Sequence, residues 1–168
     1  MIAVVRPASV LDAESIARVH LSSSDEAYSP LAGRWPTVSV DERRASWEKW
    51  LGEGARVFVA EADGAVVGFA SGGGARRLDL GADVELTVIH VRPENRGQGV
   101  GAALWNATCD DIRGPELKSM IVRTLAALRV NAFYQRNGGI EVARESKDFY
   151  GARRDEVTYR WGRGASHR

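Results

Sequence analysis

The segment Val84–Ala102 constrains the fold of this chain more than any other. Its first eight residues are β-branched or apolar except Glu85, Thr87 and His90, which predicts a buried strand. Pro93 ends that strand because it lacks the backbone donor that a ladder requires. A basic, glycine-rich turn then leads into an amphipathic helix. A strand, a glycine turn and a helix N-terminus in this order present free backbone N–H groups and a positive dipole end, an arrangement that binds phosphate.

The spacing of the turn separates it from other glycine-rich phosphate loops. Three glycines stand at alternate positions after an arginine, in the order Arg96-Gly97-Gln98-Gly99-Val100-Gly101. A Walker loop requires Gly-Lys-Ser/Thr at the helix entry, where this chain has Gly101-Ala102-Ala103. The dinucleotide-binding fingerprint requires unequal glycine gaps and an acidic residue about 20 positions later. The sequence therefore disfavours both of these nucleotide-binding classes.

The same turn resembles the acetyl-coenzyme A loop of the GCN5-related N-acetyltransferases (the GNAT family), whose pattern is Arg/Gln-x-x-Gly-x-Gly/Ala. In that family a strand ending in Val-x-Pro precedes the loop, as Val91-Arg92-Pro93 does here. Three further segments resemble family patterns in the right order: the hairpin Asp63–Phe69, the helix ending Phe133–Gly139 and the last strand Asp155–Trp161. The chain thus resembles a small, bacterial-type member of the family along nearly its whole length.

Strand and helix patterns alternate in the order β-α-α-β-β-β-α-β-α-β-β, which is also the order of the family. The resemblance implies a GNAT-like α/β fold with a single mixed sheet of about seven strands, about four helices, and a phosphate-binding loop between the fourth strand and the third helix. Strands are expected over residues 2–5, 57–60, 66–70, 84–91, 120–123, 141–144 and 157–161, and helices over about 9–21, from 39, over 99–113 and over 128–137. Residues 1–161 are predicted to form one acetyltransferase domain, residues 22–37 a loop and residues 162–168 a disordered tail.

Composition narrows the possible partners. The 168 residues fit one domain, and a net charge of +1 gives no overall attraction to nucleic acid or to a membrane surface. No apolar stretch approaches the ~20 residues of a membrane span, and the N-terminus lacks a secretory signal pattern. The single cysteine, Cys109, cannot form an internal disulfide, which suits a reducing compartment. We expect a cytoplasmic monomer or homodimer with no nucleic-acid or membrane partner.

The resemblance implies acetyl transfer from acetyl-coenzyme A, used as a co-substrate, to a primary amine of a small-molecule or peptide acceptor. Transfer is expected by direct attack in a ternary complex, without a metal. A lysine-like amine has a pKa near 10.4, so a base must remove its proton at neutral pH. A non-catalytic acyl-coenzyme A-binding regulatory module on the same fold is the alternative. The presence of both Glu85 and Tyr134 favours the enzyme.

Two residues are candidates for catalysis. Tyr134 stands where the family often has a tyrosine acid near the cofactor sulfur, and a packing role is its alternative. Glu85 lies in a buried strand, where a carboxylate is costly unless it is hydrogen-bonded. It also stands eight residues before Pro93, where many family members carry a catalytic glutamate. A glutamate paired with an arginine, or solvated, is the alternative there. Strand alternation places His90 on the face opposite Glu85, which argues against His90 as the base.

The resemblance also implies a set of cofactor contacts at the end of the fourth strand, in the turn and on the fourth helix. They are Ile89, His90, Val91, Arg96, Gly97, Gln98, Gly99, Val100, Gly101, Ala102 and Asn131. One residue departs from the family pattern: Ala127 stands where an asparagine usually contacts the cofactor. Asn131 lies one helical turn later on the same face and is expected to supply part of that contact.

Overall fold

A computed structural model of the chain describes residues 3–168. Its strands are β1 (Val4–Pro7), β2 (Val57–Ala62), β3 (Ala65–Gly74), β4 (Val84–Val91), β5 (Met120–Leu125), β6 (Ile140–Phe149) and β7 (Ala152–Trp161). Its α-helices are α1 (Ala13–Tyr28), α2 (Val40–Gly52), α3 (Val100–Arg113) and α4 (Asn131–Arg136). The predicted order of elements is confirmed. The first strand runs later than expected, to Pro7, and Ile2 lies outside the described residues. In the described part of the chain, no helix is long and apolar enough to cross a bilayer.

The seven strands form one mixed sheet in the order β1-β2-β3-β4-β5-β7-β6. Neighbouring strands are antiparallel except β4 and β5, which are parallel. The parallel ladder is short, because it pairs only Val84–Leu86 with Met120–Val122. The sheet is therefore two halves, β1–β4 and β5-β7-β6, that meet along this ladder and separate beyond it.

Helices cover both faces of the sheet. On one face, α1 and α2 bury Ile16 and Trp47 against Phe69 of β3. On the other face, α3 packs so close to β3 that only glycine fits at two positions. A Cβ added to Gly68 would lie 2.9 Å from the Leu104 side chain, and one added to Gly72 would lie 2.9 Å from Ile112. Close packing of this kind fixes the position of the N-terminus of α3 relative to the end of β4.

The first helix is longer than the sequence predicts. A capping box precedes each of the first two helical segments, at Ser9 and at Ser39. However, α1 continues through residues 22–28, which were expected to begin a loop, and a 3-10 turn follows over Ser29–Leu31. The run of three serines is compatible with helix because the hydroxyls bond back to carbonyls of the preceding turn, as Ser23 Oγ does to the Val19 oxygen at 2.6 Å. The fourth helix is shorter than predicted and starts at Asn131.

The last two strands have ten residues each and form a hairpin that is longer than predicted. Its turn is Tyr150-Gly151, with φ values of 50° and 84°. Two residues at positive φ are typical of a two-residue hairpin loop. β6 is an edge strand and most of its side chains are exposed, so it lacks the apolar alternation that reveals a half-buried strand. Cross-strand ion pairs, including Lys147 with Glu156, take the place of apolar contacts.

Residues 162–168, for which the sequence predicts disorder, are packed against α3. The Trp105 indole N–H donates to the carbonyl of His167 at 2.7 Å, and His167 is only 3% exposed. The Arg113 guanidinium lies 3.0 Å from His167 Nδ1, and Arg168 forms an ion pair with Asp110 at 2.6 Å. The tail is ordered by these long-range contacts, which composition does not reveal.

Candidate active site

The separation of β4 from β5 opens a groove with a cavity volume of about 1040 Å³. β4 from Leu86 onward forms one wall, and β5 with the loop that follows it forms the other. The turn at Arg96 and the first turn of α3 at Gly101 close one part of the groove, and Tyr134 of α4 lines another. Because β5 no longer pairs with β4 here, the backbone edge of β4 faces the groove.

The turn before α3 is shaped by its glycines. Gly97 and Gly99 have φ values of 74° and 84°, a backbone conformation that favours glycine because other residues meet a Cβ clash. Arg96 fixes the turn by donating from Nε to the Val91 oxygen at 3.2 Å and by pairing with Glu26 at 2.6 Å. The first backbone N–H groups of α3 have no partner within the helix. The turn therefore leaves these N–H groups at the N-terminus of α3 without helical partners, and phosphate binding by this loop stays a prediction.

The predicted cofactor residues divide into two sets. Those that line the groove are Ile89, His90, Val91, Arg96, Gly97 and Gly101. Those outside its wall are Gln98, Gly99, Val100, Ala102 and Asn131. The side chain of Val100 is buried in the core.

Asn131 does not line the groove, and its contact with the cofactor stays a prediction. Its amide donates to the carbonyls of Leu125 at 2.9 Å and Leu128 at 2.6 Å, and thereby shapes the loop between β5 and α4. Ala127, which replaces the usual asparagine of the family, lines the groove directly. The wall is therefore apolar at this point, and Asn131 acts on the shape of the groove.

Tyr134 both packs in the core and lines the groove. Its ring lies 5.6 Å from that of Trp105 and 5.9 Å from that of Tyr159, measured between centroids. Burial raises the pKa of Tyr134 well above its usual value, so its hydroxyl keeps its proton at neutral pH. The protonated state is the one that a proton donor requires.

A β-bulge changes the orientation of β4. Ser71 of β3 pairs with Val88 and Gly72 pairs with Leu86, so Thr87 is an extra residue in β4. Alternation restarts after this residue, as it does at bulges generally. Leu86 packs on the α3 side of the sheet. Simple alternation from Leu86 assigns the residues after Thr87 to the wrong faces.

Ile89 also packs on the α3 side, three residues after Leu86, whereas Val88 packs on the α1 and α2 side. Glu85 and His90 consequently share the α1 and α2 face. The prediction that they lie on opposite faces is wrong, because strict alternation does not hold across a bulge.

Glu85 is buried and paired. Its side chain is 1% exposed, and it accepts hydrogen bonds from Arg76 at 3.1 Å and Arg123 at 3.0 Å. Burial alone would raise the pKa of Glu85, but the hydrogen bonds from Arg76 and the charges of Arg123 and Arg76 outweigh it and lower that pKa. Glu85 lines neither the groove nor a second cavity on the α1 and α2 face. The carboxylate orients two guanidinium groups that do, since Arg76 lines the second cavity and Arg123 the groove.

The second cavity has a volume of about 530 Å³ and lies on the α1 and α2 face of the sheet. Its wall is rich in aromatic side chains: Tyr28, Trp35, Trp47, Trp50, Phe149 and Tyr150. Tyr28, Thr87, Val88 and His90 line both cavities, so the groove and this aromatic cavity meet at β4. The hairpin residues Phe149 and Tyr150 were not predicted here, because the strand expected over residues 141–144 extends to Phe149 in the structure.

Two neutral histidines stand at this junction. The rings of His20 and His90 are 5.1 Å apart, and the Trp47 indole donates to His20 Nδ1 at 3.2 Å. Burial, with the charge of Arg43, lowers the pKa of His20 to about 4. Burial, with the charges of His20 and Arg96, lowers the pKa of His90 to about 3. Both rings are therefore uncharged at neutral pH.

The single cysteine is unsuited to covalent catalysis. Cys109 is fully buried in α3, with its Sγ 3.6 Å from the sulfur of Met120. Burial raises the pKa of its thiol far above the usual value, so the thiolate nucleophile does not form at neutral pH. Within residues 3–168, no group of three or more histidine, cysteine or acidic side chains is placed to hold a metal ion.

Comparison with known proteins agrees with this geometry. Residues 53–138 match the acetyltransferase (GNAT) domain family. The chain belongs to the GNAT family. An N-acetyltransferase of Bacillus subtilis, YuaI, is 31% identical over 159 residues, which cover 94% of this chain and 91% of that protein. The L-amino acid N-acyltransferase MnaT of Escherichia coli is 34% identical over 77 residues, which cover 46% of this chain and 45% of MnaT. The predicted family and the predicted class of enzyme, an acyltransferase, are confirmed.

Solved GNAT structures confirm the fold. An N-acetyltransferase from Staphylococcus aureus Mu50 superposes with a TM-score of 0.75 at 19% identity, covering 96% of this chain and 99% of the other. A phosphinothricin acetyltransferase from Sinorhizobium meliloti, solved in complex with AcCoA, gives 0.75 at 23% identity and covers 97% and 89%. The predicted mixed sheet of seven strands with four helices is therefore the GNAT fold.

Proposed function

We propose that this GNAT acetyltransferase moves an acetyl group from acetyl-coenzyme A to a primary amine of a small-molecule or peptide acceptor. The observation that carries the proposal is the meeting of two cavities at Tyr28, Thr87, Val88 and His90. A thioester in the groove and an amine in the aromatic cavity would face each other across this junction. The acetyl-coenzyme A bound by the S. meliloti protein of similar fold supports the choice of donor.

The groove offers each part of the donor a matching surface. The pyrophosphate would accept hydrogen bonds from the backbone N–H groups at Gly97–Gly101, at the positive end of α3. The pantetheine arm would run along the open backbone edge of β4 at Ile89–Val91. Attack by the amine places negative charge on the thioester oxygen, which a backbone N–H of that edge would stabilise.

Transfer is direct in this proposal, and Tyr134 supplies the proton. Tyr134 is protonated at neutral pH and gives its proton to the leaving thiolate of coenzyme A. His90, neutral and lining both cavities, accepts a hydrogen bond from the attacking amine and orients it, and the proton of the amine passes to solvent. A covalent acetyl-enzyme has no support at Cys109, since this thiol is buried and protonated.

Initial-rate kinetics test the proposed function. Release of free thiol from acetyl-coenzyme A is measured against a panel of primary amines while both substrate concentrations are varied. Direct transfer predicts intersecting double-reciprocal lines, and a covalent intermediate would give parallel ones. Stabilisation by coenzyme A without thiol release for any amine would instead support the non-catalytic binding module.

Glu85 was predicted as the base, and its pairing leads us to propose a positioning role. Glu85→Gln should lower the melting temperature by roughly 3–6 °C, from about 1–2 kcal/mol of lost charged hydrogen bonding to Arg76 and Arg123. The value of kcat/KM should fall by the same factor for an acceptor amine of high pKa and for one already neutral at the assay pH. Thermal unfolding measures the melting temperature, and thiol release measures kcat/KM.

The matched control is Glu61→Gln, which removes a strand carboxylate that is paired with Arg6 at 3.1 Å and lines neither cavity. A base at Glu85 would show a different pattern: the loss would be larger for the amine of high pKa, and the acidic limb of the pH profile would move. That result would restore Glu85 as the proton acceptor and contradict the positioning role.

A further inference from the structure

Arg43 on α2 lines the aromatic cavity. Its Nε is buried and has no hydrogen-bond partner among residues 3–168, as is also true of the Nε of Arg44. The two arginines differ in their ion pairs and in their position at the cavity. No carboxylate in that range lies within ion-pair distance of its guanidinium, whereas its neighbour Arg44 pairs with Asp41 at 3.4 Å and with Glu48 at 3.7 Å. Buried donors in proteins are nearly always paired. An anion in the cavity would supply the acceptor that Arg43 lacks.

The other charged groups of the cavity do not neutralise Arg43. Asp25 is exposed and already accepts a hydrogen bond from the Trp35 indole at 2.6 Å. Arg76 adds a second positive charge, which Glu85 balances. His20 and His90 are neutral at pH 7, as their lowered pKa values show. The inner wall therefore favours an anionic group, and it repels an acceptor that carries positive charge alone.

The aromatic cavity sets the size of the acceptor. Arg43 and His90, which stands where the two cavities meet, line this one cavity of about 530 Å³. A volume of this order holds a small molecule, and the aromatic wall suits an apolar side chain.

We propose that the acceptor is a small amino acid with an apolar side chain, whose carboxylate is bound by Arg43. The inference rests on the proposed function, since it names the amine that the acetyl group reaches. The planar guanidinium binds a carboxylate through two parallel hydrogen bonds, which a lysine cannot reproduce. Arg43 is then the residue that selects amino acids over simple amines.

Paired acceptors test this assignment. Thiol release is measured for L-phenylalanine against phenethylamine and for L-methionine against 3-(methylsulfanyl)propylamine, pairs that differ only in the carboxylate. The wild type should prefer the amino acids. Arg43→Gln should lower kcat/KM for the amino acids by roughly 10- to 100-fold, mainly through KM, and change it less than about 3-fold for the amines. Arg43→Lys should fall between the two, and Arg44→Gln should match the wild type.

The outcomes separate this inference from the proposed function. Equal losses for amino acids and amines in Arg43→Gln, or a wild type that prefers the amines, would overturn the role of Arg43 while acetyl transfer stands. No thiol release with any of the four acceptors or the wider amine panel would overturn both. If Arg43→Gln melts well below the wild type, Arg43→Lys alone decides, since it keeps the charge and loses only the fork.

Discussion

A Gly101→Asp variant is expected to bind coenzyme A at least roughly 100-fold more weakly than the wild type. The new carboxylate would lie beside the pyrophosphate, and like charges brought together cost several kcal/mol. Gly101 lies in the first turn of α3 and lines the groove. A Cβ there would meet only Val91, at 3.8 Å, so the side chain fits without displacing its surroundings. An acid in the first turn of a helix also favours the helix. The fold should therefore persist while a negative charge occupies the phosphate position.

The measurement is the rise in melting temperature that coenzyme A gives by mass action, which the wild type should show and the variant should not. Gly52→Asp is the matched control, since Gly52 lies at the exposed end of α2 and a Cβ there meets nothing within 4 Å. Gly99→Asp is a weaker test because φ at Gly99 is 84°, where any side chain adds strain. A full thermal shift in Gly101→Asp would place the anion site elsewhere on the protein.

Tyr134→Phe is expected to reduce kcat by roughly 10²-fold, the usual scale of general acid catalysis, with little change in affinity for coenzyme A. Only a hydroxyl is removed, and the ring keeps its contacts with Trp105 and Tyr159. The leaving thiolate would then depart without a proton from the enzyme. The measurement is kcat at saturating acetyl-coenzyme A and acceptor, together with the thermal shift given by coenzyme A.

Tyr159→Phe is the matched control for that experiment. Tyr159 is also a buried tyrosine of the same cluster, and its hydroxyl accepts from Gln135 Nε2 at 3.3 Å, but it does not line the groove. This variant should retain the wild-type kcat. Single-turnover measurements exclude a slow product release that would conceal the chemical step. An unchanged single-turnover rate in Tyr134→Phe would leave Tyr134 as a packing residue only.

Local signals in the sequence predicted much of this fold. Neighbouring residues set three of its features. Pro93 ends β4, alternate glycines shape the turn after it, and positive φ at Asp63 and Gly64 forms the hairpin turn. The N-caps Ser9 and Ser39 likewise act within one helical turn. Patterns of this range are visible without knowledge of the tertiary structure.

The features that the sequence did not reveal depend on distant partners. Thr87 is a bulge only because β3 pairs around it, and nothing in the composition of β4 distinguishes this residue. Phe149 and Tyr150 reach the aromatic cavity through an edge hairpin whose exposed, charged strand lacks an apolar period. The role of Arg43 depends on its place in the cavity wall and on the absence of a paired carboxylate among the described residues, and neither is visible in the sequence. The donor groove was therefore predicted far better than the acceptor cavity.

The packed tail, residues 162–168, connects the two halves of the sheet. Residues 162–168 continue from β7, which belongs to the smaller half of the sheet, and they bond to Trp105, Asp110 and Arg113 of α3, which packs on the larger half. The two halves of the sheet share a ladder of only three residue pairs. The attachment of the tail to α3 is therefore a second connection between them. Because residues 162–168 line neither cavity, we expect substitutions there to alter the separation of the two halves, and with it the width of the groove, without any direct contact with the bound molecule.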